Sequence, residues 1–384
     1  MEIRDLTVDD LDAVRDARTR AFGPLSPATA AVWRRMVEPF LAEGRVLGIF
    51  DGPRLTGTAR INPYRQWWHG RELSMGGVAS VTVLPEDRGR GVGRQLMLAA
   101  IDRAVELGHL VSALYPATTH LYRRLGWEHA GAQLIATLPA EAVRTIGVTE
   151  PVKLRRMGPD DAAELLAVAA RVHTATRASG PLGWDERTTR LWLEDEDDFC
   201  YLAEDGFVVY RWDGQDIEID NLVAGSEATA RALWSLVGSS ATIAKKITAC
   251  VAPDDPIFWM LRERGKSDDV RAVRWMFRLL DLVKAVEGRG YPAAVTAAAV
   301  VQVQDPERPA NTGGWRIEVT GGAGTAIPTA SADGPRLSIN GMSALYAGVP
   351  SATLRRSGAM TGPDLYDEVL DAAFAARPYM IDYF

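Results

Sequence analysis

Cysteine is nearly absent: Cys200 and Cys250 are the only two in 384 residues. Two thiols exclude a disulfide scaffold and a cysteine-based zinc site. Histidine is scarce too. His69, His109, His120, His129 and His173 include no pair at the i, i+4 spacing of a helical metal site, so no metal is expected. Basic charge is in deficit, with 43 Lys+Arg against 50 Asp+Glu and a net charge of −7. No overall basic surface draws the chain to nucleic acid or anionic lipid. Long apolar runs are missing as well. The longest, residues 293–303, is about half of what a bilayer span requires. The first residues, MEIRDLTVDDLDAV, are acidic and amphipathic, unlike a secretory leader. A cytoplasmic protein is the expectation.

What is present is a folded composition, 47% hydrophobic and 24% charged. The length suggests two or three domains. Residues 9–22 have helical periodicity through Leu11, Val14, Ala21 and Phe22. Residues 45–50 and 55–61 read as strands around an Asp51-Gly52-Pro53 turn, and 78–84 as a third strand. A strong helix is predicted over 91–107, then strands at 109–114 and 131–138. A second block opens at Val152. Its start, VKLRRMGPDDAAELLAVAARV, echoes MEIRDLTVDDLDAVRDARTR, and residues 217–238 repeat the strand–loop–helix order of 72–105. This is a weak internal repeat of one α/β fold. A third block starts near Leu282. Strands are predicted at 298–303 and 315–319, loops at 306–314 and 321–329, and a short helix near 365–374, which together suggest a small α+β domain.

One loop carries the chemical signal. V-T-V-L-P-E-D-R-G-R-G-V-G-R, residues 81–94, follows an apolar strand and opens the strong helix. Arg88, Arg90 and Arg94 supply positive charge. Gly89, Gly91 and Gly93 remove side chains where backbone must come close to a partner. A helix start also leaves backbone N–H groups without internal partners, and its dipole favours an anion. The combination makes a pyrophosphate seat. The Lys-Ser/Thr pair of a nucleotide P-loop is missing, and the glycines do not sit where a dinucleotide fold needs them.

R-G-R-G-V-G-R after V-x-V-x-P-E-D resembles the coenzyme A loop of the GNAT-type N-acetyltransferases, whose pattern is Arg/Gln-x-x-Gly-x-Gly/Ala. A wider resemblance, to the enhanced-intracellular-survival (Eis) acetyltransferases, covers the whole chain. Residues 76–83, GGVASVTV, look like that family's splayed strand. LYRRLGW at 121–127 is similar to its Tyr-x-Arg-x-Gly-aromatic segment. LSINGMSALYAG at 337–348 and the terminal Phe384 resemble its C-terminus. The resemblance implies an α/β (α+β) chain of two tandem GNAT-like folds, the second degenerate, and a sterol-carrier-protein-like α+β domain. The boundaries would be 1–149, 150–283 and 284–384. It further implies an acetyl-CoA-dependent N-acetyltransferase for amines of cationic multi-amine compounds such as aminoglycosides. Transfer would be by direct attack in a ternary complex, with no metal, and the assembly a homohexamer. The second copy lacks an Arg-Gly-x-Gly run and would serve as scaffold.

The resemblance also assigns roles. Main-chain groups of Val81 and Val83 hold the pantetheine and polarise the thioester, and residues 88–94 hold the pyrophosphate. Tyr122 protonates the leaving thiolate. The Phe384 α-carboxylate takes the amine's proton. The tail RPYMIDYF is unusually apolar for a chain end, which makes sense if it is docked. Trp33, Trp67, Trp68 and Asp382 are candidates to line a cationic acceptor. The family often carries an acidic residue just before the terminal aromatic, where Tyr383 stands here. Two other readings stay open. The chain acetylates protein lysines, or it binds lipids or small molecules with vestigial catalytic folds.

Overall fold

A computed structural model describes residues 1–262 and 269–384. The first part contains β1 (Glu2–Asp5), α1 (Leu11–Phe22), α2 (Pro27–Ala42), β2 (Val46–Asp51), β3 (Arg54–Trp68) and β4 (Arg71–Val83). It continues with α3 (Val92–Glu106), β5 (Val111–Leu114), α4 (Thr119–Arg123), β6 (Glu128–Pro139) and α5 (Ala140–Arg144). The second contains β7 (Arg155–Arg156), α6 (Ala162–Ala175), β8 (Leu182–Gly183), α7 (Glu186–Trp192), β9 (Phe199–Ala203) and β10 (Gly206–Asp213). After these come β11 (Asp216–Ala224), α8 (Glu227–Gly238), β12 (Lys246–Val251), α9 (Ile257–Met260) and β13 (Asp269–Leu279). The third has α10 (Leu282–Gly288), β14 (Ala297–Gln304), β15 (Gly313–Thr320), β16 (Ala323–Pro328), β17 (Arg336–Ser338) and α11 (Ile339–Tyr346). It ends with α12 (Ser351–Arg356), β18 (Met360–Thr361) and α13 (Asp367–Ala373).

The repeat appears as one continuous sheet. Its main path runs β1-β2-β3-β4-β5-β13-β6-β12-β11-β10-β9-β7, with β8 paired to β3. The two copies exchange their last strands. β13, from the second copy, pairs with β5 of the first, and β6, from the first, pairs with β12 of the second. β6 and β13 pair antiparallel with each other and close both halves at once. Each half buries its own helix against its sheet: α3 through Val92, Leu96, Met97, Ala100 and Ile101, and α8 through Leu233, Trp234 and Val237.

Two segments differ from the sequence expectation. β3 and β4 form one long hairpin instead of short strands. The turn is His69-Gly70, both at positive φ (47° and 77°), which suits a two-residue hairpin loop. Pro63, lying inside β3, interrupts the strand signal there. The predicted loop at 321–329 contains β16, an edge strand paired to β15. The third part has its own five-stranded sheet, β16-β15-β14-β17-β18. It shares a core with the first two parts through Trp68, Phe277 and Tyr346. No helix among the described residues is long and apolar enough to cross a membrane.

Candidate active site

The site begins where two parallel strands part. β4 and β5 pair at Met75–Val111, Gly76–Ser112 and Gly77–Ala113, and no further. Beyond Gly77, β4 carries a bulge against β3, between the pairs Arg60–Ala79 and Thr58–Thr82. Ser80 in that bulge has φ +51°, a conformation held only when the surroundings over-determine it. The extra residue bends the strand and opens a gap toward β5. The Leu84 N–H donates to Thr56 O on the β3 side. Alternation along the strand turns the Val83 N–H the other way, into the gap. Val81 lies on the bulge itself, and both valines are half-buried against the α3 core.

The arginine–glycine loop follows at once. Gly91 caps α3 at φ +79°, with no side chain closing the helix start. Gln95 is the first residue whose N–H returns to the cap, so the N–H groups of Val92, Gly93 and Arg94 stay free of the helix ladder. Gly89 and Gly91 face open space, and Gly93 packs beside Leu121 and Val83. Fifteen residues of helix aim their dipole at this concavity. These features fit a diphosphate.

The three arginines are not equivalent. Arg90 bridges Asp87 (2.6 Å) and Asp51 (3.2 Å) and so braces the loop. The Asp87 carboxylate is wholly buried and also held by Arg54 at 2.7 Å, which keeps it below the usual carboxylate range. Arg94 pairs with Glu307 of the third part at 2.7 Å. Arg88 is exposed and only grazes the Val83 carbonyl at 3.4 Å, so its charge is the most available.

Tyr122 lies on α4, beside α3. It is 6% exposed, and burial alone raises its phenol pKa, so it holds its proton at neutral pH. The turn after α4 reaches Gly126, which sits at φ +96°, where a Cβ would collide with the Arg278 guanidinium. Arg278, on β13, forms a fully buried pair with Asp305 of the third part at 3.0 Å. Asn340 Nδ2 donates to Arg123 O and Trp127 O. Groups from all three parts therefore fix the tyrosine segment.

The tail is docked between the halves. Tyr379 bridges Ala132 of β6, and its N–H donates to Ser179 O. Gln133 Nε2 donates to Ile381 O at 3.0 Å, and Tyr115 Oη to Asp382 O at 2.8 Å. Gly131 and Gly180 lack the Cβ that would strike the tail backbone. The Phe384 ring packs on Tyr64 and Tyr115 at 4.9 and 5.6 Å and lies over Gly77, where β4 and β5 part. Asp382 is largely enclosed. Burial raises its pKa to about 6, against the lowering effect of hydrogen bonds from Asn221 and Trp184.

Trp33 on α2 is half-buried and lines a small cavity with Val14, Val37, Arg60, Ser80 and Thr82, on the α1–α2 face of the bulge. Trp67 and Trp68 do not join it. They lie seven and eight residues beyond Arg60, roughly 23–27 Å along an extended strand. Trp68 is fully buried in the shared core, and Trp67 packs against His173 of the second copy. Trp184 is the aromatic that stands by the tail, 5.0 Å from Tyr64. Neither cysteine is a poised nucleophile, since burial pushes both thiols up to about 12. Sequence reasoning also missed Arg60, Asn62 and Tyr64, which share one face of β3. The available signal was polar residues alternating with the core residues Ala59 and Ile61. Among the described residues, no group of three or more His, Cys, Asp or Glu is placed to hold a metal.

The second copy repeats the parting. β11 and β12 pair at Ile217–Ile247, Glu218–Thr248 and Ile219–Ala249, then separate. A cavity of about 660 Å³ lies there, lined by Leu222, Val223, Trp234, Asp255 and Tyr379 among others. No arginine–glycine run accompanies it.

Known proteins match this layout part by part. Residues 2–130 and 181–279 each match an acetyltransferase (GNAT) domain family, and 282–381 a sterol carrier protein domain. A GCN5-related N-acetyltransferase from Kribbella flavida is 44% identical, with a TM-score of 0.96 over 100% of this chain and 98% of its own. N-acetyltransferase Eis of Mycobacterium tuberculosis is 25% identical, covering 92% of this chain and 91% of its own. Eis1 of Mycobacterium abscessus shares the fold at 21% identity and TM-score 0.78, over 100% of both chains. With two acetyltransferase folds and a sterol-carrier domain over its full length, the chain belongs to the Eis family of GCN5-related N-acetyltransferases.

Proposed function

We propose that this protein transfers acetyl from acetyl-CoA to a primary amine of a small acceptor, by direct attack while both are bound. One observation carries the reading. The gap between β4 and β5 opens at a bulge, is flanked by a free helix start and by α4, whose Leu121 packs on Gly93 and whose Tyr122 joins the α3 core, and is capped by the docked chain end. Acetyl-CoA supplies the activated acetyl thioester. Val83, with Val81, offers main-chain N–H groups along the gap, where charge builds on the carbonyl oxygen during transfer. Residues 88–94 hold the diphosphate, with Arg88, Gly89 and Gly91 exposed, Gly93 leaving room at the helix start, and Arg90 and Arg94 bracing. The Tyr122 phenol donates to the departing sulfur. The Phe384 carboxylate receives the amine's proton. The high thiol pKa values support a path without a cysteinyl intermediate.

Acidic groups support a cationic amine as acceptor. Asp382 and Asp185 both bear electrostatically on Tyr64 beside the tail. Aminoglycosides are the first class to test, in the homohexameric assembly that the family resemblance implies. The test measures CoA release with acetyl-CoA and a panel of aminoglycosides, polyamines and amino acids. Amine-dependent release is expected. Release indifferent to every amine overturns the reading.

A further inference from the structure

The face of β3 beneath the tail carries two buried polar atoms without a partner. Ala59 and Ile61 belong to the α3 core, so Arg60, Asn62 and Tyr64 point to the opposite face. Asn62 is 1% exposed. Its Nδ2 donates to Tyr64 Oη at 3.1 Å, and its Oδ1 is buried without a partner. Arg60 Nε is also buried without a partner. Its guanidinium lies over the Phe40 ring at 5.5 Å, and no carboxylate among the described residues pairs with it. The ion pairs nearby leave it out: Arg45 takes Glu43 at 2.6 Å, and Arg187 takes the same carboxylate at 3.5 Å.

Arg60 is half-buried, and a guanidinium partly withdrawn from water without a counter-ion is costly. This one lines the cavity walled by Trp33, Val14 and Val37, next to the bulged Ser80. Its pair partner Ala79 immediately precedes that bulge. Asn62, two residues on, faces Gly77, which Phe384 covers. Two residues of strand span on the order of 7 Å. The β3 face thus has opposite charge toward its two ends: Arg60 beside the small cavity, and the tail residues Asp382 and Phe384 beside Tyr64.

We infer that the acceptor carries a carboxylate as well as its amine and lies along this β3 face, with Arg60 holding the carboxylate and the tail end receiving the amine. This rests on the acetyl-transfer reading and narrows it. A guanidinium matches a planar carboxylate with two parallel hydrogen bonds, and the apolar walls strengthen them by excluding water. Asn62 Oδ1 adds an acceptor for one N–H of the ligand. Aminoglycosides, which have no anionic group, would leave Arg60 as unpaired as it is now.

The test uses matched pairs of amines that differ only in the carboxylate: lysine against cadaverine, and phenylalanine against phenethylamine, with tobramycin as a polyamine without an anion. CoA release by the full-length protein gives kcat/KM for each. The carboxylate-bearing member of at least one pair is expected to be favoured by roughly 10-fold or more, the range of a charge-assisted hydrogen bond. Arg60→Met is expected to bring that ratio near one, and Arg60→Lys to keep part of it. Arg60→Met should melt no lower than the parent, because it removes an unpaired charge. That separates lost recognition from lost folding. Cadaverine and phenethylamine both turning over as well as their amino acids, or tobramycin turning over as well as the better amino acid, overturns the inference and leaves the acetyltransferase reading intact. So does a ratio that Arg60→Met does not change. Release that ignores every amine removes both.

Discussion

At the scale of single residues, environment divides the labour among groups of similar chemistry. Tyr122 is enclosed by apolar neighbours and keeps its proton, which suits a donor. Tyr122→Phe is therefore expected to lower kcat by roughly 100-fold or more while the KM for acetyl-CoA stays within about twofold, because only the proton is lost. Steady-state CoA release checks this, and unchanged turnover removes the phenol from the mechanism. Asp382 makes a prediction of another kind. Its folded pKa, about 6, lies above its ordinary value of 3.8. The stability linked to that shift is fully present below pH 3.8 and lost as pH rises through about 6. Above pH 6 the enclosed carboxylate is charged and destabilising. Asp382→Asn should thus melt above the parent by roughly 2–5 °C at pH 8, a gain that vanishes toward pH 4. Thermal melts across that range decide it, and a gain independent of pH would mean that the charge is not the cause.

At the scale of elements, the site is a set of terminations. β4 ends in a bulge, α3 starts without a side-chain cap, α4 gives way to a turn through Gly126, and the tail stops over Gly77. The loop at 81–94 and the strong helix after it were legible because their signals are local: glycines, arginines and 3.6-residue periodicity within one stretch. The docking of the tail was foreshadowed by its apolar content. The exchange of β6 and β13 was not legible, because strand pairing between residues some 140 positions apart leaves no local pattern. The Arg278–Asp305 pair was hidden for the same reason. It joins β13 to the third part and fills the space that Gly126 leaves open beside α4. Asp305 also accepts from Asn311 Nδ2 and from the Arg308 N–H. Asp305→Ala strands a buried guanidinium and is expected to cost roughly 3–5 kcal/mol. The double variant Arg278→Met/Asp305→Ala should recover a good part of that, since no charge is then left alone. Urea unfolding of the three proteins tests the claim, and an Asp305→Ala cost below about 1 kcal/mol would sink it.

At the scale of the whole molecule, the parts are separate in sequence and joined in structure. Residues 1–149 hold the arginine–glycine loop and Tyr122, yet they lack β13, which pairs β5 and β6, and β12, which pairs β6 on its other edge. Expressed alone, this segment is expected to be insoluble or to unfold without a cooperative transition, because one edge of β5 and both edges of β6 stand open. A sharp melt for it would show that the exchange is dispensable. The chain end is the other device of this scale. Residues 379–384 touch β6, the Ser179–Gly180 turn and the β3–β4 face, so the last carboxylate is delivered to the first copy by contacts with both copies. Most of that docking uses backbone and side chains before Phe384. A few residues added after Phe384 should therefore leave the melting temperature within about 2 °C while lowering kcat/KM by roughly 100-fold or more if, as proposed, the terminal carboxylate takes the amine's proton. Bulk and charge are separable: amidation of Phe384 removes the charge and keeps the shape. If the carboxylate takes the proton, the amidated protein is as impaired as the extended one. If it is fully active, the tail serves only to shape the groove, and the proton leaves by another route.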